Sequence, residues 1–302
     1  MGHDHAHGVS NRSRLLIVLG IVAVVLVVEV AGAFLSGSLA LLADAGHMLS
    51  DLTGLVVAVI AATVAARPPS ERQTYGYQRA EVFGALANGL ILVGVAVFVT
   101  VEAVGRLMNQ EDVSVATTPM LVVAVIGLLA NVVAFFVLRG GDRTSLNMRG
   151  AALEVLGDLL GSVVVIVAAV VIATTGFTQA DALGSLVIAA MIVPRAVVLL
   201  RDVLRVLSES VPADTSVAEI RSHILGTPGV LGLHDLHVWS ITSGQRVFSA
   251  HVVVEPDALT GERATCMLDE LSSCLADHFD VDHSTFQLEH PEHAAHEHQH
   301  HA

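Results

Sequence analysis

Six long apolar runs constrain the fold of this chain more than any other feature of its sequence. As an α-helix, each is long enough to cross the hydrocarbon core of a bilayer, roughly 30 Å thick, which takes about 20 residues. One such run could be a buried helix of a soluble protein, but six in series predict a membrane domain over residues 13–207. The runs lie near residues 13–35, 39–65, 82–107, 117–138, 147–175 and 180–204.

The composition supports this interpretation. Hydrophobic residues make up 53% of the chain and charged residues only 15%, which excludes a disordered protein and disfavours a soluble one. The first run is too long for a cleaved signal peptide, and its leader is rich in His rather than in Lys or Arg. We therefore expect the first run to remain as a transmembrane helix.

Basic residues mark alternate ends of these runs and predict the orientation in the membrane. All of the basic residues are Arg. Nearly all of those that flank the runs lie at the run ends on the same side of the membrane as the N-terminus. Because basic residues near helix ends collect in the cytoplasm, we expect both termini to be cytoplasmic, in a multi-pass protein of the plasma (or inner) cell membrane. The cytoplasmic set is Arg12, Arg14, Arg67, Arg72, Arg79, Arg139, Arg143, Arg149, Arg201 and Arg205, against Arg106 on the other side.

After the sixth run, residues 208–290 have the pattern of a small soluble domain. TSVAEIRSHILGTPG predicts a helix capped near Thr215 or Ser216, and GERATCMLDELSSCLADHF predicts a second, amphipathic helix. Strands are predicted at LHDLHVWSIT, QRVFSAHVVVE and HSTFQLE, the first two joined by a hairpin at Ser243-Gly244. The order αββαβ indicates a small sheet with helices on one face.

Two His-rich segments flank these domains, a leader over residues 1–12 and a tail over residues 291–302. Acidic, Ala and Gln residues interrupt their His residues, which favours native metal-binding tails over purification remnants. The fold class is therefore an α-helical membrane protein with six transmembrane helices, followed by a small cytoplasmic α+β domain. In that reducing compartment, Cys266 and Cys274 are not expected to form a disulfide, and a packing role is favoured for them, although Cys266 could join a metal site.

Ionisable residues inside the apolar runs are the strongest functional signal. His47 and Asp51 lie four residues apart in the second run and so share one helix face. Glu154 and Asp158 repeat that spacing in the fifth run. A charged group at the bilayer centre costs about 2.5–3.5 kcal/mol on insertion scales, so a chain that carries several of them has a use for them.

The two pairs are predicted to lie at similar depth. With a rise of 1.5 Å per residue, Asp51 and Asp158 lie roughly 21 and 17 Å from the cytoplasmic ends of their helices. One imidazole and three carboxylates are enough for a tetrahedral metal site. A polar cluster or interhelical salt bridge is the alternative, but we expect no Arg or Lys at this depth to neutralise the acids. Because these ligands take up protons when the metal leaves, the site predicts exchange of a divalent metal for protons.

Four segments resemble signature stretches of the cation diffusion facilitator family, in its bacterial zinc-transporter branch. They are SGSLALLADAGHMLSD at 36–51, YGYQRAEVFGALANG at 75–89, NMRGAALEVLGDLLGS at 147–162 and HDLHVWSI at 234–241. The resemblance implies a homodimer in the lipid bilayer, with a metallochaperone-like αββαβ domain. It also implies proton-coupled export of Zn²⁺, or of Cd²⁺ or Co²⁺, through His47, Asp51, Glu154 and Asp158. We expect no nucleic acid among the partners, and no enzymatic activity.

One departure from the family pattern concerns metal preference. The zinc branch usually has His where this chain has Glu154, and a carboxylate there favours ions that prefer oxygen ligands. Zn²⁺ stays first because it accepts Asp and Glu, with an Mn²⁺ or Fe²⁺ exporter as the alternative. Less favoured alternatives are a membrane metalloenzyme and a metal sensor. The loop RPPSERQTYGY contains no His or Asp, so we expect no second site there.

The resemblance implies a further metal site in the cytoplasmic domain, with ordinary hydrogen-bonded or exposed His residues as the alternative. His234 and His251 lie on adjacent predicted strands, and the resemblance implies that further ligands lie near the last strand. The candidates there are Asp282, His283 and Glu289, and spacing does not choose between the first two. His237 is three residues from His234 and is expected to face elsewhere.

Structural roles are expected for several other polar residues. Glu29, Asn88 and Asn131 are expected to join helices by hydrogen bonds, with lining of the ion path as the alternative. Asp44 is expected to lie near the intramembrane site or to cap the pathway. Arg79 is expected to pair with Asp202 or Glu209 where the two domains meet.

Overall fold

The structure is a computed structural model, and it describes residues 4–109, 115–139, 146–242, 244–281 and 283–296. It divides into two compact units. The first consists of residues 1–57 with 87–199, and the second of residues 58–86 with 200–302.

Six helices account for the apolar runs. Each contains a stretch long and apolar enough to cross a membrane, as the sequence predicted. The first helix begins earlier than its apolar run, within the His-rich leader. The helices are α1 (Asp4–Ser36), α2 (Leu39–Ala65), α3 (Arg79–Asn109), α4 (Thr117–Arg139), α5 (Leu146–Thr175) and α6 (Gln179–Leu207).

Large apolar side chains cover the outside of these helices. Phe34 and Leu35 at the end of α1 are 80% and 76% exposed, and Val101 on α3 is 68% exposed. In water this surface would be unfavourable, whereas lipid tails are as apolar as the side chains themselves. The exposed residues therefore identify the surface that faces lipid.

Small side chains fill the interior of the first unit. Many of its buried residues are alanines, and small residues let helix backbones approach closely where lipid supplies no hydrophobic driving force. The core cluster takes residues from all six helices, among them Ala33, Ala40, Ala96, Ala124, Ala168 and Ala189.

A buried carboxylate ties the start of α2 to α6. Asp181, on the first turn of α6, accepts hydrogen bonds from the backbone N–H groups of Leu39 at 2.7 Å and Ala40 at 3.2 Å. It also accepts one from the Ser38 hydroxyl, and Arg106 Nη1 lies 3.4 Å from its Oδ2. The first N–H groups of a helix have no partner within it and favour negative charge, so Asp181 acts as an N-cap supplied by another helix.

The second unit contains the predicted αββαβ domain. Ser216 caps its first helix by accepting a hydrogen bond from the Glu219 N–H, as the sequence indicated. The elements are α7 (Val217–Leu225), β1 (Val230–Thr242), β2 (Gln245–Val254), α8 (Gly261–Phe279) and β3 (His283–Glu289), with a 3₁₀ turn at Pro256–Leu259 and a short α9 (Pro291–Ala294).

Strand β2 is the centre of the sheet, antiparallel to β1 and parallel to β3. Phe248 and Val252 of β2 pack with Ile220 of α7 and Leu271 of α8 in one hydrophobic core. Because alternate residues of a strand point to opposite faces, His251 lies on the other face of the sheet. The predicted arrangement, with α7 and α8 on one face, is confirmed.

The first turn of α3 contacts residues that follow α6, within the second unit. Arg79 Nη2 lies 3.0 Å from Glu209 Oε1, which confirms one of the two expected partners. The other, Asp202, pairs with Arg205 on its own helix at 3.5 Å. The Thr242 hydroxyl also donates to Glu81 at 3.2 Å.

Candidate metal sites

Helices α2 and α5 bring three of the four predicted intramembrane residues together. One donor atom each from His47, Asp51 and Asp158 lies within 4.8 Å of the others. His47 Nε2 lies 3.6 Å from Asp51 Oδ2, as expected for residues one turn apart. His47 and Asp158 are buried. The arrangement offers one nitrogen and two oxygen donors at one point between two helices.

The fourth residue, Glu154, lies at the edge of this group. It precedes Asp158 by one turn of α5, and its side chain is 56% exposed. Its carboxylate is connected to His47 and Asp51 through Arg195, whose Nη2 lies 3.8 Å from Glu154 Oε1. The structure therefore places Glu154 beside the three-residue group rather than within it.

Arg195 of α6 corrects the expectation that no basic residue lies at this depth. Its Nη1 donates a hydrogen bond to His47 Nε2 at 2.9 Å and lies 3.5 Å from Asp51 Oδ2. Arg195 stands about 12 residues before the end of α6, or about 18 Å along the helix, which matches the depth of both Asp residues. The same calculation applied to the sixth apolar run would have found it.

The guanidinium of Arg195 occupies the position in which a metal ion would bind His47 and Asp51. An Arg side chain carries a permanent positive charge and can only donate, so His47 Nε2 accepts and its lone pair points at a cation. With His47 neutral and the three carboxylates ionised, Arg195 reduces the charge of the cluster from −3 to −2. The acids are therefore partly compensated, not fully neutralised.

Some donor atoms of the site have no partner of their own. Within the described part of the chain, His47 Nδ1 and Asp158 Oδ1 are buried without a hydrogen-bond partner. A buried polar atom left unpaired costs about 1–3 kcal/mol, so these atoms are available to a ligand.

More buried polar residues surround the site. Asp44 is buried, and its Oδ1 would lie only 2.3 Å from a Cβ atom at Gly161, so glycine is needed for this close approach of α2 and α5. The expected interhelical bond of Asn88 is confirmed, since it accepts from the Ser50 hydroxyl at 3.0 Å. For Glu29 and Asn131, both buried, the described residues supply no such partner.

A second group lies on the face of the sheet opposite α7 and α8. His234 and His251 are paired across β1 and β2, and Glu289 follows on β3. Glu289 Oε1 lies 2.6 Å from His251 Nδ1, and its Oε2 lies 3.1 Å from His234 Nε2. Burial acts to raise the pKa of Glu289, but the hydrogen bond from His234 and the attraction of His251 outweigh it, so the pKa lies below its ordinary value.

His283, another predicted ligand, lies away from this group. His283 is aligned with Val247, four residues along β2 from His251, which is about 13 Å at the rise of a strand. Its ring stacks edge-on against Tyr75, with centroids 5.6 Å apart. Asp282 lies outside the described residues.

The expectation for His237 was wrong. A bulge in β1 between His234 and His237 interrupts the alternation and places His237 opposite Ser249, on the same face as His251. His237 is exposed and is not part of the donor group of His234, His251 and Glu289.

Two family models match the chain in sequence order. The model described as the cation efflux transmembrane domain matches residues 15–208. The model described as the cation efflux protein, cytoplasmic domain, matches residues 212–291. Together they cover both units described above.

Three relatives match the chain over almost its full length. The chain is 42% identical to the metal cation efflux system protein CzcD of Cupriavidus metallidurans, over 95% of this chain and 90% of that protein. It is 40% identical to the cadmium, cobalt and zinc/H(+)-K(+) antiporter of Bacillus subtilis, over 96% and 92%. It is 39% identical to the zinc transporter ZitB of Escherichia coli, over 96% and 93%.

Proposed function

The chain belongs to the cation efflux family, the cation diffusion facilitators, and we propose that it exports a divalent metal cation, Zn²⁺ first, in exchange for protons. The family is one of transporters, so the metalloenzyme alternative is not retained. The names of its relatives include zinc, cadmium, cobalt and an H⁺-coupled antiporter, which supports Zn²⁺ with Cd²⁺ or Co²⁺ as further substrates.

The observation that carries the proposal is the buried donor group of His47, Asp51 and Asp158. Zn²⁺ binds imidazole nitrogen at about 2.0–2.1 Å and carboxylate oxygen at about 2.0–2.2 Å, commonly with four ligands. Small side-chain rotations would bring three donor atoms within 4.8 Å of one another onto one ion. Glu154 or water supplies the fourth ligand.

Arg195 gives the transport cycle a resident cation. In the arrangement described, its guanidinium contacts His47 and Asp51, the ligands that Zn²⁺ would use. A metal ion and a guanidinium repel each other at such distances in a low-dielectric site. Metal entry therefore requires Arg195 to withdraw, and its return helps the metal to leave.

Charge balance supports proton coupling. With Arg195 withdrawn, the three ionised carboxylates carry −3, and one divalent cation reduces this charge to −1. Once the metal has left and Arg195 has returned, the ionised cluster carries −2. An uncompensated charge in a membrane interior is costly, so protons must replace the metal when it leaves. The antiporter name of the Bacillus subtilis relative is consistent with this exchange.

The C-terminal domain is proposed to serve as a metal-responsive dimerisation domain in the cytoplasm. His234, His251 and Glu289 offer two nitrogens and one oxygen, a donor set that suits Zn²⁺. A homodimer in the plasma membrane, with both termini cytoplasmic, accords with the Arg distribution and with the match to a cytoplasmic domain.

Sealed vesicles containing the purified protein test the transport proposal. Under an imposed pH gradient, wild type should accumulate Zn²⁺, detected by an indicator trapped inside, whereas Asp158→Asn should not. Asp202→Asn is the matched control, because it makes the same chemical change on an exposed carboxylate near the end of α6. Equal uptake by wild type and Asp158→Asn would overturn the proposed site.

An Mn²⁺ or Fe²⁺ exporter remains the second candidate because Glu154 adds an oxygen donor beside the site. Uptake of Zn²⁺, Cd²⁺, Co²⁺, Mn²⁺ and Fe²⁺ in the same vesicles decides between them. Faster uptake of Mn²⁺ or Fe²⁺ than of Zn²⁺ at equal free concentration would favour the second candidate.

A further inference from the structure

A third group of metal-ligating side chains lies in the C-terminal domain, apart from both sites described above. His223 is in the last turn of α7, and Cys274 and His278 are one turn apart on α8. One donor atom of each lies within 4.8 Å of the others. Cys274 Sγ is 3.5 Å from His223 Nδ1, and the two His rings have centroids 5.2 Å apart.

These distances fit a tetrahedral metal site. With a Zn–S bond of about 2.3 Å and a Zn–N bond of about 2.05 Å, a tetrahedral angle separates sulfur and nitrogen by about 3.5 Å. Cys274 and His223 already have this separation. His278 is exposed and can rotate to complete three protein ligands, which leaves the fourth position for water.

The group is separate from the site formed by His234, His251 and Glu289. Helices α7 and α8 pack on one face of the sheet, whereas His251 lies on the other, and the two groups share no residue. A metal can therefore occupy either group without removing a ligand from the other.

The chemistry of the group favours a soft cation. Glu270 and Asp277 lie one turn from Cys274 on α8, and their negative charges attract a cation to it. A thiolate with two imidazoles prefers Zn²⁺, Cd²⁺ and Co²⁺ over Mn²⁺ and Fe²⁺.

We propose that His223, Cys274 and His278 form a solvent-accessible site that binds one Zn²⁺ or Cd²⁺ ion in the C-terminal domain. Binding replaces the thiol proton by the metal and releases that proton to solvent. The site would hold α7 and α8 together, because its ligands come from both helices. It would respond to metal independently of the intramembrane site.

Thiolate-to-cobalt charge transfer tests this site in the full-length protein. Co²⁺ added to the purified, reduced protein in detergent should produce an ultraviolet charge-transfer band, which His and carboxylate ligands do not give. Cys274→Ser should abolish the band. Cys266→Ser is the matched control and should retain it, since Cys266 is exposed and not in the group. Absence of a band in wild type, or its loss only in Cys266→Ser, would overturn the proposal.

Two His variants distinguish metal binding by all three side chains from metal binding by the Cys274 thiol alone. His223→Ala and His278→Ala leave Cys274 in place, so their behaviour is informative even if Cys274→Ser fails to fold. Each should lower the intensity of the visible cobalt bands and raise the Co²⁺ concentration needed for half-saturation by at least about tenfold. Spectra and half-saturation equal to those of wild type would mean that the thiol binds alone, and the proposed site would be wrong.

Discussion

The intramembrane group and the group on the sheet use the same residue types in opposite electrostatic settings. In the membrane helices, one imidazole meets three carboxylates, and Arg195 lies among them as a cation. On the sheet, two imidazoles lie close to the carboxylate of Glu289, His234 Nε2 at 3.1 Å and His251 Nδ1 at 2.6 Å, and His234 also lies 3.4 Å from the carboxylate of Asp235. The first group has excess negative charge and a resident cation, whereas the second satisfies its own polar atoms.

This difference suggests different tasks for the two groups. A site that must release its metal on every cycle benefits from a built-in competitor for the metal, which Arg195 provides. A site held on three paired strands, with its ligands already bonded to one another, is suited to standing occupancy. Matched substitutions in the two groups should therefore have different effects on transport and on metal binding.

The largest difference is expected between Asp158→Asn and Glu289→Gln. Loss of a hydrogen-bonding partner of a metal ligand already lowers metal affinity roughly 10–100-fold. Loss of Asp158, a direct ligand in the proposed transport site, should therefore reduce Zn²⁺ uptake by at least about a hundredfold. Glu289→Gln should leave uptake within about tenfold of wild type and lower the Zn²⁺ bound at equilibrium. Vesicle uptake and equilibrium dialysis measure the two effects. Equal loss of uptake in both variants would show that the intramembrane group and the group on the sheet do not have different tasks.

Arg195→Gln tests the resident cation. Removing its charge ends the repulsion that opposes Zn²⁺, so the KM for uptake should fall by at least about tenfold. The maximal rate should fall as well, because the bound metal is no longer displaced. Arg201→Gln, on the exposed part of the same helix, is the control and should change neither value. A higher KM in Arg195→Gln would show instead that the guanidinium supports the ligands.

Removal of a helix cap should cost more stability in the membrane helices than in the C-terminal domain. Asp181→Ala removes a buried carboxylate that serves α2 and Arg106, and breaking a buried charged pair costs about 3–5 kcal/mol. Ser216→Ala removes the cap of α7 in the C-terminal domain and should cost about 1 kcal/mol. Thermal unfolding in detergent, followed by size-exclusion chromatography, ranks the two. A larger loss for Ser216→Ala would contradict the role given to Asp181.

The smallest effect is expected for Glu154→His. Glu154 lies at the exposed edge of the site, so replacing it should change selectivity more than rate. An added imidazole should raise the ratio of Zn²⁺ uptake to Mn²⁺ uptake by about tenfold or less. Competition uptake with both metals in one vesicle preparation measures this ratio. A fall in this ratio would show that the Glu154 carboxylate does not favour Mn²⁺ over Zn²⁺.

The sequence predicted the helices and strands closely because their signals are local. The expected run 39–65 is α2 (Leu39–Ala65), and HSTFQLE is β3 (His283–Glu289). Hydrophobic length and periodicity set these elements with little influence from tertiary contacts. The meeting of His47 and Asp51 with Asp158 also followed from local spacing and depth.

Residues defined by tertiary contact were harder to predict. Asp181 was not singled out, because its role as a cap depends on α2, which is more than 100 residues away in sequence. His237 was assigned to the wrong face because a bulge changed the alternation of β1. Cys274 was expected to have a packing role, whereas two His residues lie beside it, one of them on another helix.

The most direct measurement is the position of zinc in the loaded protein, from an anomalous difference map at the zinc absorption edge. We expect a peak bonded to His47, Asp51 and Asp158 at about 2.0–2.2 Å, with the Arg195 guanidinium withdrawn from His47 Nε2. An intramembrane zinc peak elsewhere, with Arg195 still hydrogen-bonded to His47, would contradict it.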